Sequence, residues 1–331
     1  MRITAALVLT AWLTTSAHAA LHNLERLTIS GSDYVRLSEW AKSSGFTMNW
    51  NRKDANIELS SPSARVAFSI ESRRALISGV SVWLSLPVVN RDGAALISVT
   101  DLKSGIEPLL EPRKSDAAIK TICLDPGHGG KDVGKVQGRN YEKEYTLLLA
   151  RETASLLKKQ GFKVVMTRTG DKMVELPDRP LFASRHGADL FVSLHYNAAD
   201  SGAHGVEVFC LAPPGMNASD AGGGKSSHPV ETGNAQDEHN VLLAYQLQKS
   251  ITRSLPLEDL GLKRSHFEVL RLAHMPAILI EGGFLTNPTD ARNIYDSVFR
   301  KRMARAIVDG ILAYQRAVAG TEAPRENPSP K

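Results

Sequence analysis

Short apolar runs alternate with longer amphipathic segments from residue 118 onward, and this alternation restricts the fold more than any other feature. The apolar runs predict strands at 119–124, 163–167, 190–194, 205–210, 267–270 and 277–280. The amphipathic segments predict helices at 142–159, 237–254 and 298–318. Strands that alternate with helices form a sheet whose two faces are both covered. The sequence therefore predicts an α/β fold with a mixed, roughly six-stranded sheet and helices on both faces.

The segment 21–112 has a different pattern, because apolar and polar residues alternate there in short runs. Ile57-Glu-Leu59 and Val66-Ala-Phe68 are examples, and a period of two predicts half-buried strands. We expect a small β-rich α+β domain that ends where Pro112 and charged residues interrupt the apolar pattern. A second domain then occupies residues 118–318, since the chain is longer than one compact core usually serves.

This N-terminal pattern, with a Gly79 turn between strands, resembles the copper amine oxidase N-terminal-like domain, an accessory module of bacterial envelope proteins. A copper ion is not expected, because no histidine or cysteine occurs between Asn23 and Ile119 and copper sites depend on such ligands. We interpret the domain as a binding or spacing module. A structural appendage without a ligand is the alternative.

The two ends of the chain differ from both domains. Arg2 is followed by an apolar run and by Ala17-His18-Ala19, the pattern of a secretory signal peptide. We expect residues 1–20 to be removed on export to the periplasm or the exterior. Residues 319–331 have no apolar face, which predicts a disordered tail. No later segment approaches the ~18 apolar residues of a membrane span, so none is expected.

Net charge indicates which partners to expect, and cysteine content indicates whether disulfides are expected. The formal net charge is +5, but the basic residues form no block or aromatic-interleaved stripe, so a nucleic-acid partner is not expected. The excess suits either an anionic polymer or an ordinary solvated surface. The two cysteines, Cys123 and Cys210, each lie within an apolar run. We therefore favour two buried free thiols over a disulfide.

Three polar clusters lie where predicted strands end. They are Asp125-Pro-Gly-His128-Gly-Gly130, Ser193-Leu-His195-Tyr-Asn197 and Ile280-Glu281-Gly-Gly-Phe284. Ligands of open α/β sheets bind beyond the strand ends, so we expect the clusters to converge. Two histidines and a carboxylate form a set that catalytic zinc uses. The residues alone leave open whether these histidines bind a metal or are ordinary loop residues.

From Thr121 to about Arg316 the chain resembles the zinc-dependent N-acetylmuramoyl-L-alanine amidases of the Amidase_3 type. Five ordered blocks carry the resemblance: Leu124-Asp-Pro-Gly-His-Gly-Gly130; Tyr141-Glu-Lys143; Thr167-Arg168 with Asp171, Leu176 and Arg179; Ala188-Asp-Leu-Phe-Val-Ser-Leu-His-Tyr-Asn-Ala198; and Val269-Leu-Arg271 with Met275-Pro-Ala-Ile-Leu-Ile-Glu-Gly-Gly-Phe-Leu-Thr-Asn287. One block is a weak signal, whereas five in order across nearly the whole second domain are specific.

The resemblance implies a hydrolase of peptidoglycan that cleaves the amide bond between N-acetylmuramic acid and L-alanine. It implies that His128, Glu142 and His195 bind one zinc ion and that Glu281 is the general base. Glu144 competes with Glu142 as the carboxylate ligand, but the family match places the ligand directly before a lysine. It also implies a location in the periplasm or in association with the cell wall.

Other residues of the matched region have two interpretations. Arg168 and Arg179 are expected to pair with Asp171, Asp178 or Asp189 rather than with a substrate carboxylate. Asn197 and Asn287 either orient ligands or cap turns. The stretch 212–235 is expected to be a flexible loop, because it lacks the length and periodicity of the helix that occludes zinc in some family members.

Two alternative functions follow from the same residues. A zinc carboxypeptidase or endopeptidase acting on wall peptides would use the same ligands and base. A catalytically silent cell-wall-binding protein would not need the base, although Glu281 is retained. The sequence predicts neither the requirement for an activator protein nor the oligomeric state.

Overall fold

The computed structural model describes residues 21–321, with the exception of residues 52, 54 and 116. The predicted signal peptide (1–20) lies outside the described residues, as does nearly all of the predicted tail (319–331). None of the helices within the described ranges combines the length and the apolar character that crossing a membrane requires.

The N-terminal part of the described chain is rich in strands, as its alternating pattern predicts. The strands are β1 (Leu27–Ile29), β2 (Ser32–Arg36), β3 (Thr47–Asn51), β4 (Asn56–Ser60), β5 (Arg65–Ser69), β6 (Ser72–Ile77), β7 (Val80–Arg91) and β8 (Ala94–Ser98). The helices are α1 (Leu37–Ser43), α2 (Val99–Asp101) and α3 (Glu107–Leu110), with a 3-10 turn at Leu21–Asn23 and a π-helical turn at Leu102–Ile106. Antiparallel pairing joins β3 to β7 in chain order, and β7 also pairs with β8. Ile57 and Phe68 are buried while their neighbours face outward, which confirms the predicted alternation.

The second part of the chain alternates strands with helices. The strands are β9 (Thr121–Pro126), β10 (Val136–Gln137), β11 (Asn140–Tyr141), β12 (Lys163–Met166), β13 (Leu190–Asn197), β14 (Val206–Leu211), β15 (Asp259–Ser265) and β16 (Ala277–Phe284). The helices are α4 (Glu142–Lys159), α5 (Asp178–Arg185), α6 (Asp237–Ser254), α7 (Glu268–Arg271), α8 (Pro288–Tyr295) and α9 (Ser297–Ala319), with a 3-10 turn at Thr232–Gln236. Six strands form the order β12-β9-β13-β16-β14-β15. All neighbours are parallel except β14 and β16, so the predicted mixed, six-stranded sheet is confirmed.

Helices cover both faces of this sheet. On one face, α4 and α6 pack on the strands and α9 packs across both helices, burying Ile122 and Leu124 of β9. On the other face, α5 and α7 cover a smaller core that contains Cys123 and Phe191. Alternate residues of β9 therefore enter opposite cores, as the period of a strand requires. Cys123 and Cys210 are both buried and unpaired, which confirms the prediction of two free thiols.

One predicted strand is wrong. Residues 267–270 contain the start of α7, and the strand at this position of the sheet is β15, just before them. Val269 and Leu270 are adjacent and both buried, which a helical turn permits and a one-sided strand does not. The strand β15 is difficult to detect in the sequence because Gly261, Lys263 and Arg264 interrupt its apolar residues.

The sheet continues without a break between the two parts of the chain. β15 pairs in parallel with β7 through Leu262 and Val82. The strand order therefore extends from β15 through β7, β6, β5 and β4 to β3. Buried residues of both parts, such as Trp40 and Leu243, belong to one hydrophobic core. The N-terminal part is thus joined to the second part by backbone pairing as well as by packing.

Candidate metal centre

The three polar clusters converge at one edge of the sheet, as their positions after strands predict. β13 lies between β9 and β16, and the three strands are parallel. Their register places Ser193 beside Asp125 and His195 beside Glu281. Because parallel strands end at the same edge, side chains that are distant in sequence meet there.

His128 follows β9 in a tight turn that depends on glycine. The backbone of His128 is left-handed, with φ of 61°. The preceding residue, Gly127, approaches His195 so closely that a Cβ atom at position 127 would lie 2.2 Å from His195 Cε1. The centroids of the two imidazole rings are 4.9 Å apart. A residue without a side chain is therefore required at position 127 for the two rings to lie together.

Glu142 is the first residue of α4, and its buried carboxylate joins the two histidines. His128 Nε2 lies 3.0 Å from Glu142 Oε2, and His195 Nδ1 lies 3.1 Å from Glu142 Oε1. The backbone amides of Lys135 and Tyr196 donate hydrogen bonds of 2.9 and 3.1 Å to the same carboxylate. Burial would raise the pKa of Glu142, but the hydrogen bonds to the two histidines outweigh burial and lower it. The carboxylate is therefore ionised.

His128, Glu142 and His195 form a group that can hold a metal ion. Their ligand atoms all lie within 4.8 Å of one another, and no comparable group occurs in the part of the chain that the structure describes. Imidazole nitrogens and a carboxylate oxygen suit divalent transition metals. Glu144, the competing carboxylate, is exposed on the outer surface of α4. The geometry thus favours Glu142 over Glu144 as a ligand.

Asp132 contacts the other nitrogen of the His128 ring, and the sequence reasoning missed this residue. His128 Nδ1 lies 2.9 Å from each carboxylate oxygen of Asp132. Such a contact orients a metal-binding histidine and increases its basicity. Burial would lower the pKa of His128, but the hydrogen bonds to Glu142 and Asp132 raise it. The sequence signal that could have indicated Asp132 is its position four residues after His128 in a glycine-rich turn.

Glu281 lies beside the metal-binding group. It is next to His195 in the strand register, and its Oε2 atom is buried without a hydrogen-bond partner among the described residues. Burial raises the pKa of Glu281 well above its ordinary value, and the charges of Glu142 and Glu207 raise it further. A buried carboxylate with a free oxygen beside a metal-binding group is a candidate general base.

The metal-binding group and Glu281 line one cleft with a volume of about 490 Å³. Leu176 and Phe267 lie at its rim, with 49% and 36% of their surfaces exposed. A site of this volume is in the usual range for small-molecule and substrate clefts. The apolar rim gives a substrate a surface to pack on beside the polar centre.

Arg168 and Arg179 have structural roles, but their partners differ from the aspartates considered in the sequence. Arg179 pairs with buried Asp125 at 2.8 Å. Both arginines also donate hydrogen bonds to backbone carbonyls of the turn 126–128. Asp125 additionally accepts hydrogen bonds from Thr167 and Ser193. This network, whose central carboxylate the sequence reasoning did not identify, holds the turn that carries His128.

The two asparagines have local partners. Asn197 donates a 2.5 Å hydrogen bond to Glu207, and Asn287 caps α8 by accepting hydrogen bonds from two backbone amides. Residues 212–231, all of which the structure describes, contain no helix. A 3-10 turn begins at Thr232, inside the predicted loop 212–235, and the flexibility of this stretch stays a prediction.

Comparison with known proteins gives a family match and several similar proteins. A family model described as Amidase_3, N-acetylmuramoyl-L-alanine amidase, matches residues 122–313. The probable cell wall amidase LytH of Staphylococcus epidermidis is 36% identical over 199 residues, which cover 59% of this chain and 58% of LytH. The N-acetylmuramoyl-L-alanine amidase AmiA of Escherichia coli is 31% identical over 228 residues, covering 61% of this chain and 78% of AmiA.

A solved structure is also similar to this chain. The N-acetylmuramoyl-L-alanine amidase AmiC2 of Nostoc punctiforme is 30% identical with a TM-score of 0.50, covering 60% of this chain and 99% of AmiC2. The chain spans little more than half the length of LytH. The family match begins at residue 122, so the resemblance of the N-terminal part to the copper amine oxidase module stays a prediction.

Proposed function

We propose that this chain, which belongs to the Amidase_3 family of N-acetylmuramoyl-L-alanine amidases, hydrolyses the amide bond between N-acetylmuramic acid and L-alanine in peptidoglycan. The family match covers more than half of the chain. The observation that carries the proposal is the meeting of His128, Glu142 and His195 with Glu281 in one cleft of that domain.

We assign His128, Glu142 and His195 as the ligands of one zinc ion. Two imidazoles and a carboxylate are a ligand set of catalytic zinc, with a fourth position left for water or substrate. The ionised state of Glu142 and the contact of Asp132 with His128 support this assignment. A zinc ion held there supplies a Lewis acid that polarises the scissile carbonyl and lowers the pKa of water.

We assign Glu281 as the general base. Its carboxylate, which lines the cleft, accepts a proton from the water that attacks the scissile carbonyl carbon. As the carbon–nitrogen bond breaks, Glu281 returns that proton to the leaving nitrogen of L-alanine, so the carboxylate is regenerated in each cycle. The position of Glu281 beside His195 supports this role, as does its burial, because a carboxylate with a raised pKa is a stronger base.

The substrate lies outside the cytoplasm, so the proposed activity requires export. The signal-peptide pattern of residues 1–20 supports export to the periplasm or the cell wall. The activity needs no nucleic acid, and the polymer itself is the expected partner.

The test is to incubate the purified chain with isolated peptidoglycan and to identify the released fragments by mass. Parallel samples contain a chelator, the chelator followed by added zinc, and the Glu281→Gln variant. Intact stem peptides with a free L-alanine amine, lost on chelation and restored by zinc, are the expected result. Cleavage only within the peptide would assign the chain as a peptidase. Sedimentation with the wall and no release would assign it as a binding protein.

A further inference from the structure

Two strands lie between the N-terminal part and the strand that carries Glu281. β7 lies beside β15, β15 beside β14, and β14 beside β16. Within the antiparallel pair, Glu207 of β14 is directly opposite Glu281 of β16. Directly opposed residues of an antiparallel pair project from the same face with their Cβ atoms about 4.5–5.5 Å apart. A second carboxylate therefore stands next to the proposed base.

Glu207 is buried, and both of its oxygens have partners. Asn197 Nδ2 donates to Oε1, and the Lys263 ammonium forms an ion pair with Oε2. Only 2% of Glu207 is exposed. A buried carboxylate without such a partner would place an uncompensated negative charge beside Glu281, which is energetically costly. Lys263 is thus the group that balances the charge of Glu207.

Lys263 is held from the N-terminal part by an aromatic ring. Val82 is paired with Leu262, so Trp83 and Lys263 are neighbours on adjacent parallel strands. The Lys263 ammonium lies 5.8 Å from the centroid of the Trp83 ring, within the range of a cation–π interaction. The Trp83 indole donates a 2.8 Å hydrogen bond to the carbonyl of Leu260. These contacts fix the ring against β15.

A loop of the second part that is bonded to the N-terminal part also contacts this ammonium. Lys263 Nζ also lies 3.2 Å from Asp220 Oδ1. Arg73 donates a 3.0 Å hydrogen bond to the carbonyl of Ser219, the residue before Asp220. The backbone amide of Gly224 donates to the carbonyl of Ser85 at 2.8 Å. The loop that carries Asp220 is therefore tied to β6 and β7.

We propose that Lys263 is a positioning residue for Glu281, acting by neutralising Glu207, and that Trp83 and Arg73 make the N-terminal part a component of the catalytic centre. This inference rests on the proposed function, because it concerns the same base. It assigns the N-terminal part a task other than binding or spacing. Lys263 does not contact the reacting atoms; it sets the position and electrostatic surroundings of the carboxylate that does.

The test replaces the ammonium and then removes the charge that it balances. Lys263→Met leaves the Glu207 charge without a balancing cation, which displaces Glu281. We therefore expect kcat to fall by about 100-fold, the effect of displacing a catalytic group by about 1 Å. KM and zinc content should stay within about twofold of wild type, because the zinc ligands are untouched. Glu207→Gln in the Lys263→Met background removes the unbalanced charge and is expected to restore most of kcat. Lys263→Arg keeps the charge and should retain partial activity.

Lys249→Met is the matched control, because Lys249 also lies over an aromatic ring, 5.7 Å from the centroid of Tyr245, but on α6. It should leave kcat unchanged. Trp83→Ala should lower kcat with zinc retained, whereas Trp83→Phe keeps a ring and should lower it less. Melting curves and circular dichroism identify any variant that fails to fold. The double variant Glu207→Gln/Lys263→Met remains informative even if Lys263→Met does not fold, because it buries no unpaired charge.

The outcomes separate this inference from the proposed function. If the wild type releases stem peptides and Lys263→Met does so equally well, the positioning role is wrong and the amidase assignment stands. A double variant as inactive as Lys263→Met would overturn the charge-balancing mechanism. An inactive wild type that binds zinc would overturn both proposals together.

Discussion

Replacing Gly127 by alanine tests whether the close approach of the two histidines is required for metal binding. The new Cβ atom would lie 2.2 Å from His195 Cε1, whereas carbon atoms in contact are normally about 3.5–4.0 Å apart. The His195 ring must therefore retreat by about 1.3 Å or more. Gly127 is not in the left-handed backbone region, so alanine introduces a collision with the ring and no backbone strain of that kind.

The collision acts on the metal-binding group directly. His195 Nδ1 now lies 3.1 Å from Glu142 Oε1, and a retreat of this size breaks that contact. We expect zinc affinity to fall by about 10- to 100-fold, as it does when ligand geometry is disturbed. Turnover at saturating zinc should fall by about 100-fold, because a misplacement of about 1 Å has that effect.

The assay measures zinc affinity by competition with a chelating dye, and turnover by release of stem peptides. Gly202→Ala is the control, because a Cβ atom there meets no atom within 4 Å and the backbone is not left-handed. Circular dichroism should show the same folded state for both variants. Wild-type zinc affinity and turnover in Gly127→Ala would refute the placement of His195 beside this turn, and with it the proposed ligand set.

Four further substitutions, one of them a control, test individual roles. Glu281→Gln should keep bound zinc and lose about 10²–10⁴-fold in turnover, the usual contribution of a positioned base; normal turnover with full zinc would refute that role. Glu142→Gln should weaken zinc binding by at least about tenfold, whereas Glu144→Gln on the exposed surface of the same helix should not, and the reverse result would exchange the two assignments. Asp132→Asn should weaken zinc binding by about 10- to 100-fold through His128, as titration with zinc would show, and an unchanged affinity would mean that Asp132 does not orient the ring.

Much of the second part of the fold could be predicted from periodicity. The predicted helices 142–159 and 237–254 coincide with α4 and α6, because long amphipathic segments with clear ends carry a strong local signal. The strand β15 did not have this signal. Its charged residues belong there because Lys263 and Arg264 have acidic partners from other parts of the chain, and pairing of that kind is not encoded in local periodicity.

Some residues of the candidate site could be predicted from the sequence and others could not. The three polar clusters and their convergence followed from strand ends alone, and the Amidase_3 family was correctly identified from the motifs. Glu142 came only from the resemblance, since it begins a helix in which Glu144 is an equally acidic neighbour. Asp125 was not recognised because its importance arises from Arg179, Thr167 and Ser193, which meet it only in the folded protein.

The continuous sheet also limits how this protein can be divided. A shortened chain that began after residue 117 would leave the backbone groups of β15 that face β7 without their strand partner. Unpaired strand edges are templates for association with other chains. The N-terminal part therefore covers the edge of the six-stranded sheet that β15 forms. Exchange of this part for another module would expose this edge unless the replacement also pairs with β15.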